Sequence, residues 1–405
     1  HQQDTKSEEI MEKKKALLVV AGGRPMPDIL ALYAVQPHVI VILTSEQGWD
    51  GEQTFVEIAK SLPNYENLSI MPNVKAYNFD SAKDSCIQAW HSYPETEWDW
   101  VFSISSGPKI TGIAAYEVAK EKGIPCLYID TRQEEIVSLV KDFTSVIRDT
   151  GMLPQRLFHM SVSDYMRIQR REQKSLNPET VYYRKTVEHW TDIAHLLAYS
   201  PETPAFIKMM HDKKENIPVP FMQPTLAVSS LVQKLDELGA LVVQHDSNGL
   251  LTCAFTTKHT SRFIGTGDWL EVFVWQEVKA TGIADDYHWG YEISSAASSE
   301  LDVVLTYKAQ LIFAECKTDE DPFKGNTSYL DTINNKAEML GRTYVTKLFI
   351  TNASKMTGDS KIRVGYVNFL EQAKLRKIVV VTAEDFPEIR EIIRKQAINP
   401  DYARI

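Results

Sequence analysis

The sequence predicts an α/β protein with a parallel sheet near its N-terminus and a second, mixed unit near its C-terminus. Two observations predict this class. Between residues 15 and 130, short apolar runs alternate with segments of helical period, and a second series of strands and helices occupies residues 261–405. Short buried strands separated by helices of about ten or more residues are typical of parallel strands joined by crossover helices.

The N-terminal unit is predicted to span residues 11–145 as a doubly wound α/β domain. Its predicted strands are 16–21, 39–43, 74–77, 100–104 and 125–129. Its predicted helices are 27–35, 53–62, 81–91 and 109–122. Residues 1–10 are polar and precede Met11, so we expect a disordered tail or the remnant of a purification tag.

Residues 146–260 form a helical and more polar middle segment. Apolar residues recur at helical spacing between positions 226 and 238, and two β-type runs, 240–244 and 250–255, flank the turn sequence Asp-Ser-Asn-Gly. Helices followed by a hairpin resemble a winged helix. The same pattern is typical of a structural connector, which is the preferred interpretation, and the winged helix is kept as the alternative.

The C-terminal unit, residues 261–405, is predicted to begin with a helix at 268–280 and to continue with three strands that end at Lys317. A helix at 329–340, a strand at 345–350, a helix at 368–375, a strand at 377–382 and a last helix follow. This order of helix, antiparallel strands and crossover helices predicts an α/β domain with a mixed sheet.

Composition limits the classes of function. A chain of 405 residues with 43% hydrophobic residues can form two or three domains that each bury a core. It has no apolar run of membrane-span length and no secretory signal, and its four cysteines lack the spacing of a zinc site or a disulfide framework. We therefore expect a cytoplasmic protein. The net charge of −10 disfavours non-specific attraction to nucleic acid, so any nucleic-acid groove has to be locally basic.

A set of charged residues in the C-terminal unit predicts a site for phosphodiester hydrolysis. If Lys308 and Ala309 form a turn, counting outward places Asp302 directly across from Glu315. Glu315 and Lys317 are two positions apart on one strand, so their side chains share a face. Two carboxylates can hold Mg²⁺ or Mn²⁺, which lowers the pKa of a bound water, and the lysine can position that water or neutralise developing charge.

These residues resemble the motif of the PD-(D/E)xK nuclease superfamily, with Asp302, Glu315 and Lys317 in its three positions and Leu301 in place of the proline. The resemblance implies a restriction-endonuclease-like α/β domain in which Asp302 and Glu315 bind the metal. It also implies a further acid on the preceding helix, where Glu271 stands. Glu271 could instead close a capping box with Asp268 as N-cap. On the following helix Asn335 and Lys336 could reach phosphates, although a solvated surface is the preferred interpretation.

Small, hydroxylated or basic residues follow the N-terminal strands and predict a ligand site there. The carboxyl ends of strands in an open α/β sheet are the usual ligand edge, and backbone N–H groups at helix N-termini suit phosphates. Neither the dinucleotide nor the P-loop glycine motif is present, so NAD and ATP are disfavoured. Ordinary turns would also explain glycine and serine at these positions. The candidate positions are Gly23, Arg24, Thr44, Ser45, Gln47, Ser106, Gly107, Lys109 and Thr131.

An N-terminal α/β domain ahead of such a nuclease domain resembles CRISPR ancillary nucleases, whose CARF (CRISPR-associated Rossmann-fold) domain senses cyclic oligoadenylate. Relatives tend to show Gly-Gly-Thr-Lys after the fourth strand, where this chain has Ser106-Gly107-Pro108-Lys109. The resemblance implies that Thr44, Ser45 and Gln47 line the activator pocket. It also implies a homodimer around one cyclic tetra-adenylate, a Mn²⁺ or Mg²⁺ cofactor, and cleavage of DNA, RNA or both in type III CRISPR defence.

Two other classes remain alternatives. A ligand-responsive transcription regulator would use the winged-helix-like segment to bind DNA but has no use for the Glu315-x-Lys317 set. A repair or restriction nuclease would keep that set and use the N-terminal domain only as structure.

Overall fold

The computed structural model describes residues 13–46, 48, 50–61, 67–131, 133, 135–142, 158–211, 226–245, 247, 249, 251–294, 299–324, 327–341, 345–355 and 360–400. The chain divides into two compact units, His1–His159 and Met160–Ile405. The predicted tail at 1–10 lies outside the described residues. The greater part of the predicted middle segment belongs to the second unit.

The first unit alternates strands and helices as predicted. Its elements are β1 (Lys14–Val20), α1 (Met26–Val35), β2 (Val39–Ser45), α2 (Asp50–Ser61), β3 (Asn67–Val74), α3 (Phe79–His91), β4 (Trp98–Ser103), α4 (Lys109–Lys122), β5 (Cys126–Asp130) and β6 (Glu135–Ser138). The strand order is β3-β2-β1-β4-β5-β6. β1 to β5 run parallel and β6 is antiparallel to β5. The chain order reverses between β1 and β4. In such a sheet, ligands usually bind at the carboxyl ends of the strands beside this point of reversal.

Both faces of this sheet are covered, which explains the continuous apolar runs. Residues of β1 at positions 16, 18 and 20 pack in one core with α3 and α4, whereas Leu17 and Val19 point the other way and are also fully buried. α1 is buried along nearly its whole length.

One predicted strand of this unit was wrong in position. The apolar residues at 74–77 suggested a strand, but β3 occupies Asn67–Val74. β3 lies at the sheet edge, and an edge strand tolerates the proline and polar residues of this stretch because one side of its backbone needs no partner. β6 had no equivalent among the predicted strands.

The second unit opens with short helices and continues with the predicted series. Its helices are α5 (Val162–Ile168), α6 (Pro178–Val187), α7 (Thr191–Tyr199), α8 (Thr203–His211), α9 (Ser229–Glu237), α10 (Lys258–Gly265), α11 (Asp268–Thr281), α12 (Ser328–Met339), α13 (Ser360–Leu375) and α14 (Ile389–Ile398). Its strands are β7 (Glu172–Gln173), β8 (Leu241–His245), β9 (Leu251–Phe255), β10 (Asp286–Ser294), β11 (Ser299–Tyr307), β12 (Gln310–Lys317), β13 (Val345–Thr351) and β14 (Ile378–Val381).

The large sheet of this unit has the order β14-β13-β12-β11-β10-β7. β10, β11 and β12 form an antiparallel meander, while β12, β13 and β14 are parallel and joined by α12 and α13. α11 packs against this sheet through fully buried Trp269 and Phe273. The sheet therefore places the β11–β12 hairpin at its centre.

The winged-helix-like segment shares the core of the large sheet in the second unit. Helix α9 and the hairpin β8–β9 are present, as predicted. Leu231 and Leu235 of α9 and Cys253 of β9 are buried in the same cluster as Trp269. This packing agrees with a structural role for the segment.

All four cysteines are buried and free. No helix among the described residues is both long enough and apolar enough to span a membrane.

Candidate active site and ligand-binding edge

The β11–β12 hairpin has the register predicted from the sequence. Lys308 and Ala309 form its turn with φ values of +52° and +61°, the left-handed conformation that two-residue hairpin turns require. Tyr307 pairs with Gln310, and the pairing continues in step to Val303 opposite Ala314. The next step of this register is Asp302 opposite Glu315.

The structure brings Asp302, Glu315 and Lys317 together at the end of the hairpin. The Nζ of Lys317 lies 2.8 Å from Glu315 Oε1 and 3.6 Å from Asp302 Oδ2. The backbone N–H of Cys316 donates to Asp302 Oδ2 at 2.7 Å. Asp302 and Glu315 are 8% and 6% exposed, so these charges are held in a largely dry environment. The Lys317 ammonium therefore faces both carboxylates at the point where the strands end.

A second lysine completes the cluster, contrary to the solvated-surface interpretation. Lys336 of α12 places its Nζ 2.6 Å from Glu315 Oε2, and its side chain is only 12% exposed. The signal in the sequence was helical spacing: Leu330, Ile333 and Ala337 are buried, and Lys336 lies three residues after Ile333 at the edge of that face. Asn335 is exposed.

The charges of the cluster affect one another's pKa values. Burial, and then the neighbouring Glu315 carboxylate, raise the pKa of Asp302 to about 6. Burial also favours a higher pKa for Glu315, but the ammoniums of Lys336 and Lys317 outweigh it and the net shift is downward. For Lys317, burial favours a lower pKa, and the attraction of Asp302 and Glu315 outweighs it, so its pKa is raised. Lys317 is thus a stable cation, suited to neutralising negative charge.

Glu271 lies in the first turn of α11. The alternative interpretation, in which Glu271 closes a capping box with Asp268 as N-cap, is wrong. The N-cap is Gly267 in the left-handed conformation, at φ +93°. A Cβ there would meet Thr318 Oγ1 at 2.7 Å, so glycine lets the start of α11 approach the end of β12. Asp268 instead accepts hydrogen bonds from Tyr183 and Thr266, each at 2.6 Å.

The charges of the hairpin cluster act on the Glu271 carboxyl. Burial, and then the charges of Asp302 and Asp268, raise its pKa well above the ordinary value. Glu271 is half-buried, and a buried carboxyl group is costly to ionise unless a cation is nearby. Within the described residues, however, no three His, Cys, Asp or Glu side chains are grouped closely enough to hold a metal ion as they stand.

The carboxyl edge of the first sheet gathers most of the predicted ligand residues. Gly23 and Arg24 follow β1, Thr44 and Ser45 end β2, Ser106 to Lys109 follow β4, and Thr131 follows β5. β2, β1, β4 and β5 are consecutive in the sheet, so these ends lie side by side. Gln47 lies outside the described residues.

Two glycines bring the loops after β1 and β4 into direct contact. A Cβ on Gly22 would lie 2.0 Å from the backbone oxygen of Ser106, and one on Gly107 would lie 2.2 Å from Val20 Cγ1. Gly23, Arg24 and Lys109 are exposed, whereas Ser45 and Thr131 are buried. The structure thus offers backbone, hydroxyl and basic groups along one edge.

Sequence reasoning missed a buried acid beneath this edge. Asp28, in the first turn of α1, is completely buried, and the Ser106 hydroxyl donates to its Oδ2. Its Oδ1 has no hydrogen-bond partner among the described residues. Burial raises the pKa of Asp28 well above the ordinary value despite the bond from Ser106. The sequence Pro-Met-Pro-Asp at the start of an apolar helix was the available signal. It was missed because an acid in the first turn of a helix is usually a surface residue.

Comparisons with known proteins agree with this division. Residues 257–399 match the family model described as the Card1-like endonuclease domain, about a third of the chain. Protein VC1899 from Vibrio cholerae is similar over 95% of this chain and 98% of its own, with 15% identity and a TM-score of 0.69. Can2 from Sulfobacillus thermosulfidooxidans, solved with cyclic tetra-adenylate, is similar over 95% and 99%, with 17% identity and a TM-score of 0.67. A search of curated proteins gave no match.

These comparisons confirm the predicted fold class over nearly the whole chain, because both structures cover both units. The family match confirms the nuclease part of the resemblance, because it assigns an endonuclease domain to residues 257–399, and the solved structures confirm an α/β domain ahead of it. At this level of identity the two structures show the fold alone.

Proposed function

We propose that this protein is a metal-dependent endonuclease of type III CRISPR antiviral defence, activated by cyclic oligoadenylate bound to its first unit. The observation that carries the proposal is the convergence of Asp302, Glu315 and Lys317 at the end of the β11–β12 hairpin, inside the segment that matches an endonuclease domain. A transcription regulator gives no account of this buried charged cluster.

The carboxylate pair suits a hard divalent cation. Mg²⁺ or Mn²⁺ typically takes one or two protein carboxylates and completes its shell with water and substrate phosphates. Asp302 and Glu315 would supply those oxygens, and Glu271 is the proposed third acid. The chemistry such a cation supplies is polarisation of the scissile phosphate and acidification of a bound water.

Lys317 has a distinct part in this proposal. Its raised pKa keeps it protonated at neutral pH, so it does not accept a proton from water. Its Nζ, between the two carboxylates, is placed to neutralise the charge that develops on the phosphate oxygens, and such stabilisation is strongest in a dry site.

The activator site is proposed at the carboxyl edge of the first sheet, with Thr44, Ser45, Ser106, Gly107 and Lys109 as principal contacts and Gly23, Arg24, Gln47 and Thr131 around them. Can2, a protein of the same fold, was solved in complex with cyclic tetra-adenylate. The contact between the loops after β1 and β4 leaves backbone N–H groups and the N-terminus of α4 at this edge, which suits a phosphodiester ring.

A homodimer follows from the symmetry of the proposed activator. One unit presents a single set of strand-end residues, whereas a two-fold cyclic ligand is matched by two identical sets around an axis. We expect a dimer without activator that binds one ring per two chains. Light scattering and calorimetry measure these two quantities, and one ring per chain would refute the arrangement.

The test of the function is a cleavage assay with plasmid, single-stranded DNA and RNA. Each substrate is incubated with Mn²⁺ or Mg²⁺, with and without cyclic tetra-adenylate or cyclic hexa-adenylate. We expect cleavage only with metal and activator together, and none with Glu315→Gln. Absence of cleavage under every condition, with activator binding intact, would refute the enzyme. Equal cleavage with and without activator would leave a nuclease but refute its control.

A further inference from the structure

Lys336 is anchored by two short contacts from helix α12 to two strands. Its Nζ donates to Glu315 Oε2 at 2.6 Å and to the backbone oxygen of Glu300 at 2.7 Å. Glu315 belongs to β12 and Glu300 to β11. The lysine therefore ties the helix to both strands of the hairpin.

The two oxygens of Glu315 have different partners. Oε1 faces Lys317 at 2.8 Å, on the side where Asp302 also lies, and Oε2 faces Lys336 at 2.6 Å. With one ammonium on each oxygen, the carboxylate plane is fixed. Rotation of the group would break both pairs at once, so Oε1 is the oxygen kept toward Asp302.

A purely stabilising role is a weak explanation for this lysine. Taking an ammonium out of water is expensive, and a buried ion pair often adds nothing to stability compared with apolar groups of similar size. The residues around a metal ligand, by contrast, commonly orient it. The hydrogen bonds of Lys336 go to Glu315 and Glu300 rather than to Asp302, so it acts through Glu315.

We propose that Lys336 is a positioning residue, which holds Glu315 Oε2 so that Oε1 is directed at the catalytic cation beside Asp302. This inference rests on the proposed metal-dependent nuclease function. It adds a residue on a different element from the hairpin to the machinery of the site.

Replacing Lys336 changes metal affinity in opposite directions for the two roles that the lysine can have, orienting Glu315 or acting only through its charge. A positive charge repels a cation, so a lysine that acted only through charge would make Lys336→Met bind Mn²⁺ more tightly. A lysine that orients Glu315 makes the same variant bind Mn²⁺ more weakly, because the carboxylate must then be ordered by the metal.

The experiment is calorimetric titration of Mn²⁺ alone into wild type and Lys336→Met, together with steady-state cleavage by both. We expect Mn²⁺ affinity and kcat each to fall by about 10-fold to 100-fold, the range for residues that orient metal ligands, with the KM for nucleic acid unchanged. Lys374→Met is the matched control, because Lys374 is an exposed lysine of the same unit. We expect wild-type values for it.

Chemical rescue guards against a folding artefact. In Lys336→Ala, added ethylammonium should restore part of kcat, while Glu315→Gln should show no such recovery. Tighter or unchanged Mn²⁺ binding in Lys336→Met, or an unchanged kcat, would overturn the role of Lys336 while wild type still cuts. A wild type that neither binds Mn²⁺ nor cuts would overturn the proposed function and this inference together.

Discussion

The two sheets each hold buried carboxyl groups, but they hold them with different partners. In the first unit Asp28 is paired with the neutral hydroxyl of Ser106, and no lysine or arginine forms an ion pair with it among the described residues. In the second unit Glu315 sits between the ammoniums of Lys317 and Lys336. Burial raises the pKa of Asp28, whereas for Glu315 the lysines outweigh burial and lower it.

The difference agrees with the role proposed for each sheet. A buried acid whose hydrogen-bond donors are neutral is protonated more readily. The protonated acid can then hold a loop at the ligand edge through its hydrogen bonds. An acid held by two cations stays ionised in a dry place, which a metal ligand requires. The ligand edge thus relies on backbone and hydroxyl groups, and the hairpin relies on compensated charge.

The largest effect is expected when a charge is removed from the β11–β12 hairpin. Glu315→Gln and Lys317→Ala should each lower kcat by about 10²–10³ or more, because they remove a metal ligand and a charge-stabilising group from a dry site. Cleavage of single-stranded DNA measures the loss, with activator binding and thermal unfolding followed in parallel. Glu371→Gln is the control, an exposed glutamate of the same unit. Wild-type turnover in either site variant would falsify the proposed site.

A second prediction uses the protonation of Asp302. Because its pKa is raised to about 6, the carboxyl is protonated below that pH and its affinity for a cation is lost as the pH falls. We expect kcat/KM, which reports the free enzyme, to fall by up to about tenfold for each pH unit below the pKa. Initial rates at subsaturating Mn²⁺ between pH 5 and pH 8 measure this. A flat profile would contradict the assignment.

The ligand edge should respond more mildly, because many groups share the binding. Lys109→Ala removes one exposed cation at the start of α4, and a single charge-assisted contact contributes about 1.5–3 kcal/mol. We expect activator affinity to fall by roughly 10-fold to 150-fold, without loss of fold. Titration of labelled cyclic tetra-adenylate measures it. Lys120→Ala, at the exposed far end of the same helix, is the control, and equal affinity of the two variants would move the ligand elsewhere.

Local chemistry explains why much of the hairpin could be predicted from the sequence. Tight hairpins have side chains of period two, so the turn at Lys308 and Ala309 determined the facing of Asp302 and Glu315. In the first unit, helix α4 was predicted with its observed bounds, since Lys109 follows a proline and Gly123 ends it in the left-handed conformation.

The missed features depend on contacts distant in sequence. Lys336 meets Glu315 across 21 positions and Ser106 meets Asp28 across 78. No local pattern encodes such pairs, and a lysine on a helix is ordinarily solvated. β3 was misplaced because its edge position removed the apolar pattern on which strand prediction relies.

The smallest expected effect concerns the stability of the first unit. An acid whose pKa is raised by folding contributes stability that is fully present below its unfolded pKa, near 3.8, and is lost as pH rises through the folded value. An amide at this position does not titrate, so the stability of Asp28→Asn relative to wild type should increase with pH above that lower limit. Each kcal/mol corresponds to a Tm difference of roughly 2–4 °C for a unit of this size. Thermal unfolding of both proteins from pH 4.5 to pH 8 measures the trend. Asp84→Asn, which replaces an exposed acid on α3, should run parallel to wild type. If Asp28→Asn also runs parallel, Asp28 is as ionised as a surface acid, and the contrast between the two sheets fails.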